Sequence, residues 1–322
     1  MKEKKKKKKK LWKKRWKRFK RGQQSSPWTP LSWLSWLGMG LFWLLIQLPT
    51  RWLQRLGRGL GLVLYTLLPG RRQIARTNLQ LCFPELTDRE REHLVRENFA
   101  SSAMAIFEAL LGWWGSDRRI AALYTVEGEE NLAAARADGS GVILLGGHYT
   151  TLEISGRLFG PHVQGIYPIY KPAKNPVVER LMVQARKRYF DDLLPNTDLR
   201  GVVRQLRRGN ATWYAPDQDF GRRDTVFAPF MGVPAASLVA TARLAKLGRA
   251  KVLPFYSQRL PDGRYLVRIE PALENFPSGD DVADATTVNQ VIEKQVRRAP
   301  EQYLWIHQRF KTRPPGEPDL YR

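Results

Sequence analysis

The chain has 322 residues but one cysteine, Cys82, and four histidines, His93, His148, His162 and His307. A single thiol excludes an intrachain disulfide framework and any multi-cysteine zinc site, and four scattered imidazoles offer little for metal chemistry. Acid is scarce: 30 Asp+Glu stand against 54 Lys+Arg, a net charge of +24. No collagen period, heptad array or solenoid-length repeat is present. Apolar residues make up 43%, which excludes a wholly disordered chain. The length suits one large domain or two small ones.

The positive charge is concentrated. Residues 1–21 hold fifteen Lys or Arg against Glu3, so fourteen of the 24 net charges sit there. The run Lys4 to Lys10 buries nothing apolar and repels itself. Trp12, Trp16 and Phe19 interleave with the basic residues. Such a tail suits anionic lipid headgroups and equally suits nucleic acid through counterion release; these residues alone leave both open, beside a plain solvated tail.

From Gly22 to Thr50 no residue is charged. Leu31 to Leu48 (LSWLSWLGMGLFWLLIQL) reaches about 27 Å if helical, close to a bilayer's hydrocarbon thickness. Trp28, Trp33 and Trp52 flank it as interfacial aromatics do. The expectation is an N-terminal membrane helix, with a buried core helix as the alternative. Gly59 to Pro69, between Arg51, Arg55, Arg58 and Arg71, Arg72, reads as an interfacial helix. Basic residues lie on both sides of the span, so the positive-inside rule does not fix orientation. The chain thus divides into a polybasic tail (1–21), membrane-spanning or interfacial helices (22–70) and a large domain (71–322).

Beyond residue 70 the pattern is α/β. Helices are expected over Arg71–Leu81 and, opened by the capping box Thr87-x-x-Glu90, to about Leu111. Others follow over Glu129–Ala137, Thr151–Phe159, Asn175–Tyr189 (behind an Asn-Pro start), Asp198–Arg208, Ala235–Leu247 and Val282–Arg298. Strands are expected over Leu123–Val126, Gly141–Leu145, Val163–Ile169, Ala211–Ala215, Lys251–Gln258 and Tyr265–Ile269. The last two are joined by the turn signal Pro261-Asp262-Gly263. This alternation predicts a mostly parallel sheet between helical layers, with its site at the carboxyl ends of strands.

The chemistry-bearing stretch leaves such an end. GVILL (Gly141–Leu145) is apolar throughout, as a strand buried on both faces requires. It runs into Gly146-Gly147-His148-Tyr149-Thr150-Thr151-Leu152-Glu153. His148 sits in the loop and Glu153 in the first helical turn, so the chain can fold the carboxylate back onto the imidazole. That makes a general base with an orienting acid. No serine or cysteine occupies a nucleophile elbow, so the base suits an acceptor hydroxyl. The competing reading of Glu153 is a cap, since Thr150-x-x-Glu153 is itself a capping box. Asp217-Gln218-Asp219 ends another strand and reads either as ligand binding or site support, or as a polar loop with Asp caps. Arg222 and Arg223 follow as two adjacent cations able to meet an anion, and a metal site is not expected there. His307 reads as structural packing.

GGHYTTLEISGR resembles the His-x4-Asp/Glu block of the bacterial lipid A biosynthesis acyltransferases, the lauroyl/myristoyl transferase family. IYKPAKNP (Ile169–Pro176), WYAPDQDFGRRDTVFAPFMGVPAAS (Trp213–Ser237) and PEQYLWIHQRFKTRPPGEP (Pro300–Pro318) follow in the family's order. The resemblance covers nearly everything after about residue 30. It implies a glycerolipid-acyltransferase-like fold with an N-terminal membrane helix. It also implies transfer of a fatty acyl chain from acyl carrier protein to a hydroxyl of a hydroxyacyl chain on an anionic lipid A precursor. The catalytic pair would be His148 and Glu153, with Lys171, Asp217, Asp219, Arg222, Arg223 and Arg309 binding substrate. The enzyme would lie among membrane lipids at the cytoplasmic face of the bacterial inner membrane. Neither metal nor organic cofactor is expected, because a thioester is already activated, and no nucleic-acid partner is expected. The sequence departs from the family where an arginine is usual and Lys171 stands, which loses a bidentate fork. It departs again at His307-Gln308-Arg309-Phe310, usually HRRF. The poly-lysine tail has no family counterpart. Transfer to another glycolipid or an aminolipid is the alternative, and a membrane-tethered nucleic-acid-binding protein a more distant one.

Overall fold

The computed structural model describes residues 27–321, so the polybasic tail lies outside the described residues. A 3-10 turn at Pro30–Ser32 leads into α1 (Trp33–Leu45) and α2 (Thr50–Leu67). Then come α3 (Pro69–Cys82), α4 (Asp88–Trp114), α5 (Asp117–Ala121), β1 (Tyr124–Glu127), α6 (Glu129–Arg136), β2 (Gly141–Leu145) and α7 (Leu152–Phe159). β3 (Ile169–Tyr170), α8 (Pro176–Arg186), β4 (Leu194–Pro195), α9 (Leu199–Leu206) and β5 (Ala211–Tyr214) follow. The chain continues through β6 (Thr225–Phe230), β7 (Val233–Leu238), α10 (Ala240–Gly248), β8 (Ala250–Arg259), β9 (Tyr265–Ile269) and α11 (Asp281–Arg298).

The central sheet has the order β1-β9-β8-β2-β5. β8, β2 and β5 run parallel, as do β1 and β9, and the two groups meet in the antiparallel β8–β9 pair. The sheet is therefore α/β and mostly parallel, as the alternation predicts. All five residues of β2 are buried, because apolar clusters cover both of its faces. Ile143 and Leu145 join one cluster, with Val202, Leu206, Val252 and Ile292; Val142 and Leu144 join the other, with Ile154, Leu158, Leu253 and Val267. Local signals carry much of this. Thr87 and Glu90 form the expected capping box at the start of α4, and Asn175 accepts from Val177 and Val178 N–H to open α8.

The N-terminal membrane helix is not supported. The run Leu31–Leu48 does not form one helix. α1 has 13 residues, about 20 Å at 1.5 Å per residue, against a hydrocarbon core of about 30 Å. The chain then turns through Ile46–Pro49, where the carbonyls just past the end of α1, Ile46 O and Leu48 O, accept from the Arg119 guanidinium. A cation at a helix C-terminus is favourable, and Pro49 cannot continue the ladder. No helix among the described residues is long and apolar enough to cross a membrane. α2 instead lies along α4. Gly57 and Gly61, one turn apart, bring the backbones together: a Cβ at Gly61 would stand 2.4 Å from Ala100 Cα, and one at Gly57 2.6 Å from Met104 Cα.

Two further expectations change. Ala235–Leu247 is not one helix; its first residues belong to the antiparallel hairpin β6–β7, and α10 starts at Ala240. The hairpin turns on Met231 and Gly232, both at positive φ, with Met231 N–H donating to Glu293. Methionine is not a residue that announces such a turn. The expected strand Val163–Ile169 is reduced to an isolated bridge at Ile166 and the two residues of β3.

Candidate active site

His148 stands three residues beyond the end of β2, beside the carboxyl end of β5. Gly146 makes this exit possible. A Cβ there would lie 2.7 Å from the Trp213 indole nitrogen, and Gly146 N–H donates to Tyr214 O at 3.0 Å. The loop is then pinned by Asp217, which follows β5. His148 N–H donates to Asp217 Oδ2 at 2.8 Å, and His148 Nδ1 lies 2.6 Å from Asp217 Oδ1. An ionised carboxylate only accepts, so Nδ1 carries the proton and Nε2 presents its lone pair. The Asp217 side chain is 1% exposed and that of His148 26%.

The electrostatics reinforce this. Burial alone pushes the Asp217 carboxyl up. The His148 charge, the two hydrogen bonds from His148 and the more distant Arg309 outweigh it and hold the group at about 2. Burial likewise disfavours the His148 imidazolium, but the Asp217 charge and hydrogen bond more than offset it and raise His148 above 6.5. The pair is a base that gains affinity for a proton from an acid that keeps its charge.

Glu153 is not the acid on His148. It is in the first turn of α7, as expected, but its Oε1 accepts from Trp113 Nε1 at 2.7 Å and Arg186 Nε at 3.0 Å. Its Oε2 accepts from Arg186 Nη2. Sequence proximity suggested the pairing. The tertiary fold instead delivers Asp217, 69 residues away, because β2 and β5 are adjacent parallel strands whose exits share one end of the sheet. Nor is Glu153 a cap: Thr150 Oγ1 contacts Ser101 Oγ at 2.7 Å, and α7 starts without a side-chain cap.

His148, Glu153, Arg186 and Lys171 line one cavity of about 180 Å³. The rest of its wall is largely apolar, with Leu144, Leu152, Phe159, Ile166, Trp213 and Phe255. Lys171 is exposed there, so its point charge is open to solvent. The other candidates separate. Arg309 is 2% exposed and structural: it donates to Ala236 O and Ser237 Oγ and stacks on Phe230. Asp219 ties down the C-terminal segment by accepting from Thr312 N–H and Oγ1. Arg222 donates to Arg313 O, Arg223 pairs with its neighbour Asp224, and both are exposed. His307 is structural as read, its Nε2 accepting from Asp219 N–H. Arg186 is the residue the sequence did not single out; in a basic helix it carries no local mark, and only its burial against Glu153 distinguishes it.

The fold and site define an α/β enzyme-like scaffold with an imidazole–carboxylate pair whose imidazole lines a largely apolar cavity. Residues 21–312 match the family model of the bacterial lipid A biosynthesis acyltransferases, and the chain belongs to that family. It is 40% identical over 287 residues to the lipid A biosynthesis lauroyltransferase of Escherichia coli (strain K12), covering 88% of this chain and 94% of that one. It is 41% identical to the lipid A biosynthesis palmitoleoyltransferase of the same organism (88% and 93%) and 32% to its myristoyltransferase (84% and 83%). Among solved structures, the 1-acyl-sn-glycerophosphate acyltransferase PlsC of Thermotoga maritima overlays with a TM-score of 0.37 at 16% identity, covering 78% of this chain and 97% of that one. That likeness is too slight to bear on the fold. By family the protein is an acyltransferase of lipid A biosynthesis.

Proposed function

We propose that the enzyme transfers a fatty acyl chain from the thioester of acyl carrier protein to a hydroxyl of a hydroxyacyl chain on an anionic lipid A precursor. His148 is the general base and Asp217 its orienting acid. The observation that carries this is the Nδ1-to-Asp217 bond, which leaves Nε2 as the proton acceptor beside an apolar cavity suited to an acyl chain. Nε2 takes the proton as the acceptor oxygen attacks the thioester carbonyl. The C–O bond forms, the intermediate collapses with loss of the C–S bond, and the His148 imidazolium returns its proton to the leaving thiolate. Asp217 stabilises that imidazolium.

The developing oxyanion needs donors. Gly146 N–H is committed to Tyr214 O and His148 N–H to Asp217; Gly147 N–H and the Lys171 ammonium are the groups we assign. Glu153 and Arg186 form the polar wall of the cavity, holding α7 against α8.

Membrane lipid is the proposed surrounding, at the cytoplasmic face of the bacterial inner membrane. α1 leaves Trp33, Leu34 and Leu37 67–78% exposed. α2 exposes Leu56, Leu62 and Leu67 beside Arg51, Arg55 and Arg58. An apolar surface with basic flanks suits a helix pair lying in the interface rather than spanning it. α1 is also tied to α8: Asn175 at the start of α8 donates to Ser35 at 2.9 Å. The net positive charge suits an acidic carrier and a phosphorylated acceptor.

The test is transfer from a labelled acyl carrier protein thioester to a purified lipid A precursor in detergent. Wild type forms the ester product and His148→Ala does not. Near-normal transfer by folded His148→Ala would overturn the reading.

A further inference from the structure

We propose that Gly156 and Phe190 together set the length of acyl chain the enzyme accepts, a step that rests on reading the cavity as the acyl site. α7 turns Leu152, Ser155, Gly156 and Phe159 toward the cavity, the i, i+3, i+4, i+7 stripe of one helical face. His148 lies just before the N-terminal end of that helix. A chain running from His148 along α7 passes Gly156 about 6 Å beyond Leu152 and meets Phe159 about 5 Å further on, at 1.5 Å per residue.

Gly156 is the only member of the stripe without a side chain, and its backbone is ordinary helix. No positive φ explains the glycine, and glycine inside a helix is destabilising relative to alanine. Its surroundings supply the reason. A Cβ there would sit 3.2 Å from Phe190 Cζ and 3.5 Å from Phe190 Cε2. Both residues line the cavity. The two residues thus meet midway along the stripe, one a bare backbone and the other a ring edge. A larger residue at 156 takes space from the chain, and a smaller one at 190 returns it. Each methylene that loses its apolar contact costs about fourfold in selectivity.

The experiment offers the full-length enzyme an equimolar mixture of saturated C8 to C18 acyl carrier protein thioesters with a lipid A precursor, and reads product chain lengths by mass spectrometry. Ratios within one reaction are insensitive to the amount of folded enzyme. Gly156→Leu is expected to shift the distribution shorter, cutting the longest chain used by wild type at least tenfold relative to the shortest. Phe190→Ala is expected to shift it longer. Wild-type transfer with both variants keeping the wild-type distribution, or losing all lengths equally, overturns the length-setting role alone. Wild type that transfers from none of the thioesters overturns the acyl-cavity reading and this role with it.

Discussion

Two carboxylates line the neighbourhood of one imidazole, and their partners give them different work. Asp217 is 1% exposed and meets His148; Glu153 is 17% exposed and meets Arg186. In the proposed reaction Asp217 faces a group that takes up and returns a proton, so its charge acts on chemistry. Glu153 faces a guanidinium that stays charged at any working pH, so its charge is spent on holding α7 to α8. The lesson is that a carboxylate near a candidate imidazole is assigned by its hydrogen bonds and not by its place in a motif.

Substitutions can break or sharpen this contrast. The largest effect is expected for His148→Ala, with turnover lost by about four orders of magnitude and unchanged circular dichroism, since base and intermediate stabiliser go together. Asp217→Asn comes next, at about 10³–10⁴-fold in kcat, because an amide can present its N–H₂ to Nδ1 and select the wrong tautomer. Its pH profile carries the finer test. Activity needs neutral His148, so wild-type kcat/KM should fall as pH drops through a value above 6.5. Removing the Asp217 charge moves that limb to lower pH. Glu153→Gln should leave the limb where it is, which no orienting acid could do.

Glu153→Gln should cost about 10–100-fold through the shape of the site, together with about 2–3 kcal/mol of stability. That is discounted from the ~3–5 kcal/mol of a sealed pair because the cavity admits water. Thermal melts read the stability change. Equal damage to the pH limb from both substitutions would collapse the distinction between the two carboxylates.

The pair should also show in stability against pH. The raised His148 contributes fully below its unfolded 6.5 and less as pH rises through its folded value. The lowered Asp217 contributes above its unfolded 3.8 and is lost as pH falls toward about 2. The stabilisation is therefore greatest between about 4 and 6.5, and denaturant titrations across pH should show it shrinking on both sides, less so in Asp217→Asn. The smallest effect on the chemistry is expected from Leu34→Glu with Leu37→Glu. These exposed positions should lower binding to vesicles of phosphatidylglycerol and phosphatidylethanolamine several-fold, read by flotation, with transfer in detergent nearly unchanged.

Part of the molecule was legible in the chain. β2 and its exit were, because a five-residue apolar run ending in Gly-Gly-His leaves few readings. The capping box of α4 and the Asn-Pro start of α8 were, because caps act over three or four residues. The hairpin β6–β7 was not, because its turn uses Met231 and its strands contain small residues that also suit helices. The long apolar run misled: its composition suits a span, but the turn at Ile46–Pro49 depends on Arg119 arriving from another element. Arg309 misled as well, since a basic residue looks solvent-facing until Phe230, Ser237 and Asn289 enclose it.

The sequence by itself determined the class of chain, the α/β alternation, the family blocks and the imidazole at a strand end, since each depends on neighbours a few residues apart. Only the tertiary structure decided which acid meets His148, which cation closes on Glu153 and which residues share the cavity. Those contacts join residues tens of positions apart in sequence, brought together by strand order and helix packing, and a motif's spacing carries no record of them.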